Sequence, residues 1–213
     1  MTHKPEVNLH IDHCPARFPL FYKIGNHFRN KRMQFFFETF RIRGDESILD
    51  AGGEAYFWQP FPHMSHVTIL NIQPTAGNER IRSVIYSGND FPFAAGVFDI
   101  VFSNSVIEHA DNREYFASEI ARCGKGFFVQ APSFWFPFEP HAHIPLFHFL
   151  PAFLKRLLFR IHPRSLYPLP ELLSLKLPTK NEMKRLFPEA RIVTERWLLW
   201  PKSYYAVRVP ENE

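Results

Sequence analysis

The sequence predicts an α/β protein with a Rossmann-like, mostly parallel sheet, helices on both faces and a carboxyl-terminal antiparallel hairpin. Two short apolar runs, 47–50 and 98–103, end in small or polar residues, as buried parallel strands do. Strand-like and helix-like stretches alternate along the chain, which favours right-handed crossovers. Two further strand-like stretches, 190–197 and 203–209, lie close together near the end and predict the hairpin.

The other elements follow from spacing and capping patterns. Apolar residues recur at helical spacing from Phe18 to Phe40, and Gly25 is expected to divide this stretch. Capping-box patterns at Asp111–Glu114 and Thr179–Glu182 predict two helix starts. Three more strands are expected at 66–71, 82–86 and 126–131. A helix with a kink or restart at Pro151 is expected over Pro145–Ile161.

Length and composition favour one domain with an embellishment. The chain has 213 residues, a net charge of +4 and only two cysteines, so a disulfide framework is excluded and a cytoplasmic location is expected. We expect a helical lead-in, a cofactor-binding core, an insert after strand five for an acceptor pocket or lid, and a closing helix and hairpin. These parts span 1–44, 45–131, 132–178 and 179–213.

Three stretches carry a family resemblance. They are Ile48–Gly53, then Gly88–Phe93 followed by Phe98–Val101, and then Ser103–His109. In order and spacing they resemble the class I S-adenosylmethionine-dependent methyltransferases that act on small molecules, of the type 11-like kind found in bacteria. The resemblance implies a seven-stranded sheet ending in an antiparallel hairpin, a methyl-transfer activity and S-adenosylmethionine as cofactor.

The same resemblance implies a set of cofactor contacts at the carboxyl ends of the strands. Glycine after the first strand allows close backbone approach to the methionine portion, and the acid before it can accept from the amino group. Polar and aromatic residues further along would contact the ribose, the adenine and the region of the transferable methyl. The expected cofactor-binding residues are Asp50, Gly52, Gly53, Asn71, Asn89, Asp90, Phe91, Ser103 and Asn104.

Three residues, in two places, depart from the family pattern. Glu54 and Tyr56 stand where the family loop usually has further glycines. Asn71 stands where an acid usually accepts both ribose hydroxyls, and an amide oxygen accepts without the assistance of charge. These departures keep a non-catalytic binding protein with the same fold as an alternative function.

The acceptor side is expected to lie after strands four and five. Methyl transfer from a sulfonium is a direct displacement, and a general base helps when the acceptor is a hydroxyl. His109 and His141 are the candidate catalytic residues, with a supporting role for His109 as the alternative. The Pro-rich stretch Phe136–His143 resembles a signature of bacterial family members. Its aromatic and polar side chains suit a small-molecule or glycan-type acceptor. The expected substrate-binding residues are Phe136, Glu139, His141 and His143.

Other interpretations of these patterns remain open. His141, His143 and His148 have a spacing that a metal ion could use, although no metal is expected. The basic isoelectric point, about 9.1, permits a nucleic-acid methyltransferase, but the chain lacks an Asn/Asp-Pro-Pro-Tyr/Phe motif and no nucleic acid is expected. The stretch 145–161 combines an apolar face with basic residues, which suits a lid over the active site or, less well, a membrane surface.

Overall fold

A seven-stranded sheet organises the chain in the order β3-β2-β1-β4-β5-β9-β8. The computed structural model describes residues 19–64, 66–75, 79–88, 90–139, 144–161 and 168–210. The strands of this sheet are β1 (Ile48–Ala51), β2 (Val67–Asn71), β3 (Ile81–Ile85), β4 (Phe98–Asn104), β5 (Gly124–Pro132), β8 (Arg191–Trp197) and β9 (Trp200–Arg208). A separate two-stranded ribbon is formed by β6 (Phe138–Glu139) and β7 (Ile144–Pro145).

Strand direction confirms the predicted fold class. The pairs β1–β2, β1–β4 and β2–β3 are parallel, whereas β8 and β9 are antiparallel. The register places Asp50 beside Ile69 on one side and beside Phe102 on the other. The polar residues that close β1, β2 and β4 therefore lie at one edge of the sheet, where parallel sheets bind ligands.

The helices differ from their predicted bounds in three places. The first helix runs through Gly25 without a division, and Asn112, rather than Asp111, caps α3 by accepting from the Tyr115 N–H at 3.0 Å. The stretch expected as one helix over 145–161 contains the end of β7, a 3₁₀ turn (Phe147–Phe149) and then a shorter helix that starts after Pro151. The helices are α1 (Pro19–Phe40), α2 (Ala55–Trp58), α3 (Arg113–Cys123), α4 (Ala152–Ile161), α5 (Leu169–Ser174) and α6 (Lys180–Leu186).

The chain forms two compact units. The first unit comprises 1–103, 119–128 and 209–213, and the second comprises 104–118 and 129–208. None of the helices in the described ranges is long and apolar enough to cross a membrane.

Aromatic packing builds the core of the first unit. The Phe36 side chain, 0% exposed, contacts the rings of Trp58, Phe102 and Phe128. Phe102 and Phe128 stack with centroids 5.5 Å apart and planes within 7°. Because Phe36 comes from α1, Phe102 from β4 and Trp58 from α2, this cluster fixes both helices on the face of the sheet to which Asp50 also points.

The second unit is held by polar caps as well as by apolar packing. Thr179 and Glu182 form the predicted capping box at the start of α6. Arg113 on α3 donates to Glu182 at 3.4 Å and to the Lys176 carbonyl at 3.1 Å. A small apolar cluster of Phe147 and Leu172 packs with partly buried neighbours from α4 and α5.

Removal of the Phe36 ring tests this account of the core. We expect Phe36→Ala to lower the free energy of unfolding by ~3–5 kcal/mol, because the ring is fully buried and its cavity has rigid aromatic walls. Phe35→Ala is the matched control, since the Phe35 ring is only partly buried and should cost distinctly less. Urea denaturation of both variants is the measurement; equal losses would contradict the role given to Phe36.

Candidate functional site

The Asp50 carboxyl lies beneath the loop that follows β1. It is 1% exposed, and its Oδ2 accepts a hydrogen bond from the Trp58 indole N–H at 2.7 Å. Its Oδ1 is buried and accepts no hydrogen bond from the residues that the structure describes. A buried carboxyl with one oxygen unsatisfied is expensive to ionise.

Burial controls the charge of Asp50. Desolvation by burial raises the pKa of Asp50 to about 7. The Trp58 hydrogen bond lowers this pKa, whereas the charge of nearby Glu54 raises it. The carboxyl is therefore close to half-ionised at neutral pH. A cation brought to this edge would favour the ionised form.

The two glycines after β1 are required for different reasons. Gly52 has a φ of +83°, a conformation that side chains rarely adopt, and its N–H donates to the Leu70 carbonyl at 2.7 Å. A Cβ at Gly53 would lie 1.8 Å from Asp50 Oδ2, so a side chain there would displace the carboxyl. The loop thus approaches the strand end as closely as backbone allows.

Asn71 holds the shape of this loop. Its Nδ2 donates to the Gly53 carbonyl at 2.9 Å, and its Oδ1 accepts from the Gln73 N–H at 3.3 Å. Glu54 is tied back as well, because the Thr75 hydroxyl donates to its Oε2 at 2.8 Å. Glu54 and Asn71, which depart from the family pattern, are therefore each held by hydrogen bonds beside the loop after β1.

The loop after β3 is fixed by two side chains of α3. Glu119 Oε2 accepts from the Phe91 N–H at 2.8 Å, and Arg122 donates to the carbonyls of Phe91 and Phe93 at 3.2 and 2.8 Å. Glu119 and Arg122 also pair directly, and this contact lowers the pKa of Glu119. The arrangement clamps the backbone of the stretch that contains Asp90 and Phe91.

These loops form one continuous rim in the first unit. The Tyr86 N–H donates to the Asn71 carbonyl at 3.1 Å, and the Tyr86 ring meets the Phe91 ring edge-on with centroids 5.5 Å apart. Ser103 Oγ donates to the Ala51 carbonyl at 2.9 Å, which joins β4 to the end of β1. The structure thus brings together the predicted residues Asp50, Gly52, Gly53, Asn71, Phe91 and Ser103; Asp90 lies exposed beside Phe91, and Asn89 lies outside the described residues.

Predicted residues of the second unit are more dispersed. Asn104 is half-buried at the end of β4, and His109 is exposed on the turn that follows. Phe136 is buried and contacts the Trp197 ring at 5.7 Å. Glu139 is described only as backbone, in β6. His141 and His143 lie outside the described residues.

Metal binding finds no support among the residues described. Within those ranges, no group of three or more His, Cys, Asp or Glu side chains is arranged to hold a metal ion. The His148 ring instead has its Nε2 2.7 Å from the Phe134 carbonyl.

The rim fits S-adenosylmethionine in its chemistry. The Gly52–Gly53 backbone permits close approach of a ligand, the buried Asp50 carboxyl beneath it could lend negative charge to that edge, and the clamped Phe91 loop could lie beside an adenine. Four residues of this network were missed by sequence reasoning: Trp58, Thr75, Glu119 and Arg122. Only the Glu119–Arg122 pair has a local signal, three residues apart on a predicted helix.

The seven-stranded fold is the one that S-adenosylmethionine-dependent methyltransferases share. Residues 51–127 match the family model described as a methyltransferase domain, and these residues include most of the rim. No curated protein sequence matches the chain.

Solved structures share the fold at low sequence identity. Magnesium protoporphyrin IX methyltransferase from Synechocystis PCC 6803, with bound SAH, matches with a TM-score of 0.56 and 10% identity, over 92% of this chain and 90% of that chain. A chain of the complex between the Haloferax volcanii Trm112 methyltransferase activator and a methyltransferase matches with a TM-score of 0.54 and 12% identity, over 92% and 96% of the two chains. A SAM-dependent methyltransferase from Aquifex aeolicus matches with a TM-score of 0.50 and 14% identity, over 82% and 88%.

Stability should depend on pH through Asp50. Between the ordinary pKa of 3.8 and about 7, the folded protein holds a proton that the unfolded chain has released, so the free energy of unfolding falls as pH rises through this interval. We expect Asp50→Asn to remove this loss, which is ~3 kcal/mol between pH ~5 and ~7, while Trp58 keeps its acceptor. Urea denaturation of the ligand-free protein near pH ~5 and ~8 is the measurement.

Asp99→Asn is the matched control for this pH dependence. Although burial opposes it, hydrogen bonds from Lys125 and Ser47 lower the pKa of Asp99 to about 2, so Asp99 is ionised throughout the interval in both states. Its variant should keep the slope of wild type. An unchanged slope in Asp50→Asn would show that the carboxyl is not protonated in the fold.

The clamp on the Phe91 loop should stabilise both the fold and the rim. We expect Arg122→Leu to lower the free energy of unfolding by ~1–3 kcal/mol, because it leaves the Glu119 carboxylate and two loop carbonyls without a cation. S-adenosylmethionine affinity, measured by isothermal titration calorimetry, should fall as well. Arg185→Leu is the control, since its pair with Glu114 is exposed and should be worth less than ~1 kcal/mol. Equal affinities in the two variants would exclude a positioning role for the clamp.

Proposed function

We propose that the protein transfers the methyl group of S-adenosylmethionine by direct displacement to a small-molecule or glycan-type acceptor. The observation that carries this proposal is the position of the matched methyltransferase domain, which includes most of the connected rim around Asp50. S-Adenosylmethionine, when bound, supplies a methyl group that is already activated by a positively charged sulfur. The task left to the chain is to bind, align and exclude water.

The rim residues have separate binding roles in this proposal. The Asp50 carboxylate receives the ammonium of the methionine portion, directly or through water, and the glycine loop accommodates its backbone. Asn71 lies at the ribose position, where its Oδ1 can accept only by sharing with the Gln73 N–H. Asp90 and Phe91 serve the adenine, and Ser103 and Asn104 border the reacting methyl.

The acceptor side rests on residues of the second unit. His109 is exposed on the turn after β4 and is proposed to take the proton of an acceptor hydroxyl. His141 is the second candidate for that proton. Phe136, Glu139 and His143 are proposed to shape and hold the acceptor. The compact, aromatic character of this segment favours a small acceptor over a polymer surface.

A non-catalytic binding protein is the second candidate function. The observation that favours it is the use of Glu54 and Asn71 side chains within the rim itself, where family members have glycine and an acid. In that case the cofactor binds and no acceptor is methylated.

Two measurements on one protein preparation test the proposal. Isothermal titration calorimetry should show binding of S-adenosylmethionine, and transfer of a labelled methyl group should appear with hydroxylated small molecules and sugars. His109→Asn should lower kcat by about 10²–10⁴-fold with little change in cofactor affinity, because a general base contributes that much. His66→Asn, an exposed histidine before β2, is the control and should match wild type.

The outcomes separate the two functions. Absence of cofactor binding would refute both. Binding without transfer to any acceptor would favour the non-catalytic protein, and full activity in His109→Asn would remove that residue from the mechanism.

A further inference from the structure

We propose that the second unit docks on the surface of an anionic lipid bilayer. The surface that carries this inference is called the docking face here; it consists of Trp135, Leu146, Phe149, Phe153, Leu157 and the turn Trp197–Trp200, all exposed. The inference goes beyond the proposed function and does not depend on it. It concerns where the protein works, not what it methylates.

The β8–β9 turn is the first observation. Trp197 pairs with Trp200, so Leu198 and Leu199 form a two-residue turn, and they are 82% and 88% exposed. Leu198 has a φ of +54°, which favours glycine or asparagine. Leucine at this site is unfavourable for the backbone and for hydration, so folding alone gives no reason for it.

Ring contacts connect the turn to the rest of the docking face. Trp197 contacts Phe136, whose neighbour Trp135 contacts Phe149 at 6.4 Å. Phe134 meets both Trp135 and Phe149 edge-on, at 5.1 and 5.2 Å. Ring contacts therefore join Trp135 to Phe149 and place Trp197 against the residue that follows Trp135. Large continuous apolar surfaces mark interaction sites.

Helix α4 extends this surface with a cationic border. Phe159 packs inward against the Phe147–Leu172 cluster, and Lys155 lies over the Phe147 ring. Phe153 and Leu157, one turn apart, project outward and are 66% and 49% exposed. Arg156 and Arg160 are exposed beside them. Apolar residues flanked by arginine along one helix are typical of helices that lie at a bilayer surface.

The charge of this segment decides between possible occupants. From residue 144 to residue 161 the sequence contains no Asp or Glu, whereas it contains Lys155, Arg156 and Arg160. Arg196 adds a further exposed cation beside the turn. Two such faces would repel each other, which disfavours a second copy of the chain. Anionic headgroups complement the charge, and exposed tryptophans suit the interface between water and hydrocarbon.

Vesicle flotation with purified full-length protein tests the inference. The probes are vesicles of phosphatidylcholine alone and of phosphatidylcholine with phosphatidylglycerol in equal parts. Wild type should bind the anionic vesicles, and binding should weaken with salt because the arginines contribute electrostatically. Replacement of the turn by Leu198→Gly with Leu199→Asn should lower the apparent affinity at least about tenfold. Glycine is favoured at the first position of a two-residue turn in which only that residue has a positive φ, so this variant keeps the hairpin.

A charge variant and matched controls complete the test. Arg156→Gln with Arg160→Gln should also lower the affinity for anionic vesicles at least about tenfold. Val97→Thr and Arg82→Gln, exposed positions of the first unit, should bind like wild type. Failure of wild type to bind anionic vesicles, or equal binding by the turn variant, would overturn the proposal. Self-association of wild type that the turn variant abolishes, without vesicle binding, would overturn it in favour of a second copy.

Discussion

The burial of the Asp50 carboxyl against the Trp58 indole is the constraint on which the candidate site depends. The register of β1 with β4 points Asp50 to the same face as Phe102, into the aromatic cluster. The indole N–H is the donor that makes this burial tolerable, and it comes from a helix of only four residues. Gly53 must then lack a side chain, because the carboxyl occupies the space of its Cβ. Strand, helix and loop are thus fixed by one hydrogen bond.

The same constraint explains why the loop can differ from its family pattern. Beyond Gly53, the positions that lack the family glycines are held by contacts to Thr75. The Thr75 hydroxyl donates to Glu54, and Thr75 Oγ1 accepts from the Ala55 N–H at 3.4 Å. The Asn71 side chain donates to the Gly53 carbonyl, which an acid could not do, since a carboxylate has no N–H to donate. An amide at this position therefore suits this loop, and the proposed ribose contact would share it.

The sequence predicted the elements whose signals are local, and missed those that depend on tertiary contacts. The parallel strands, the closing hairpin and the Thr179 cap follow from apolar runs and a capping pattern, and the structure confirms them. Of the helix expected over 145–161, the part after the restart predicted at Pro151 is present as α4, whereas the part before it was wrong, because β7 and a 3₁₀ turn occupy those residues. The Trp58–Asp50 bond and the Glu119 clamp could not be predicted, since donors and acceptors meet only after the chain folds. The roles assigned to His109 and to the Pro-rich insert stay predictions.

The hairpin shows how the fold sustains a turn that its sequence does not favour. The second strand was expected to start at 203, whereas β9 starts at Trp200, and the residues from 198 to 203 include no glycine or asparagine. Below the turn, buried Glu195 accepts from the hydroxyls of Ser203 and Tyr205 and pairs with Lys202 at 3.2 Å. Arg196 closes the turn from one side by donating to the Leu199 carbonyl at 3.3 Å. This polar network joins the two strands next to a register shift between Glu195 and Arg196, and these contacts offset the cost of the two exposed leucines at the turn.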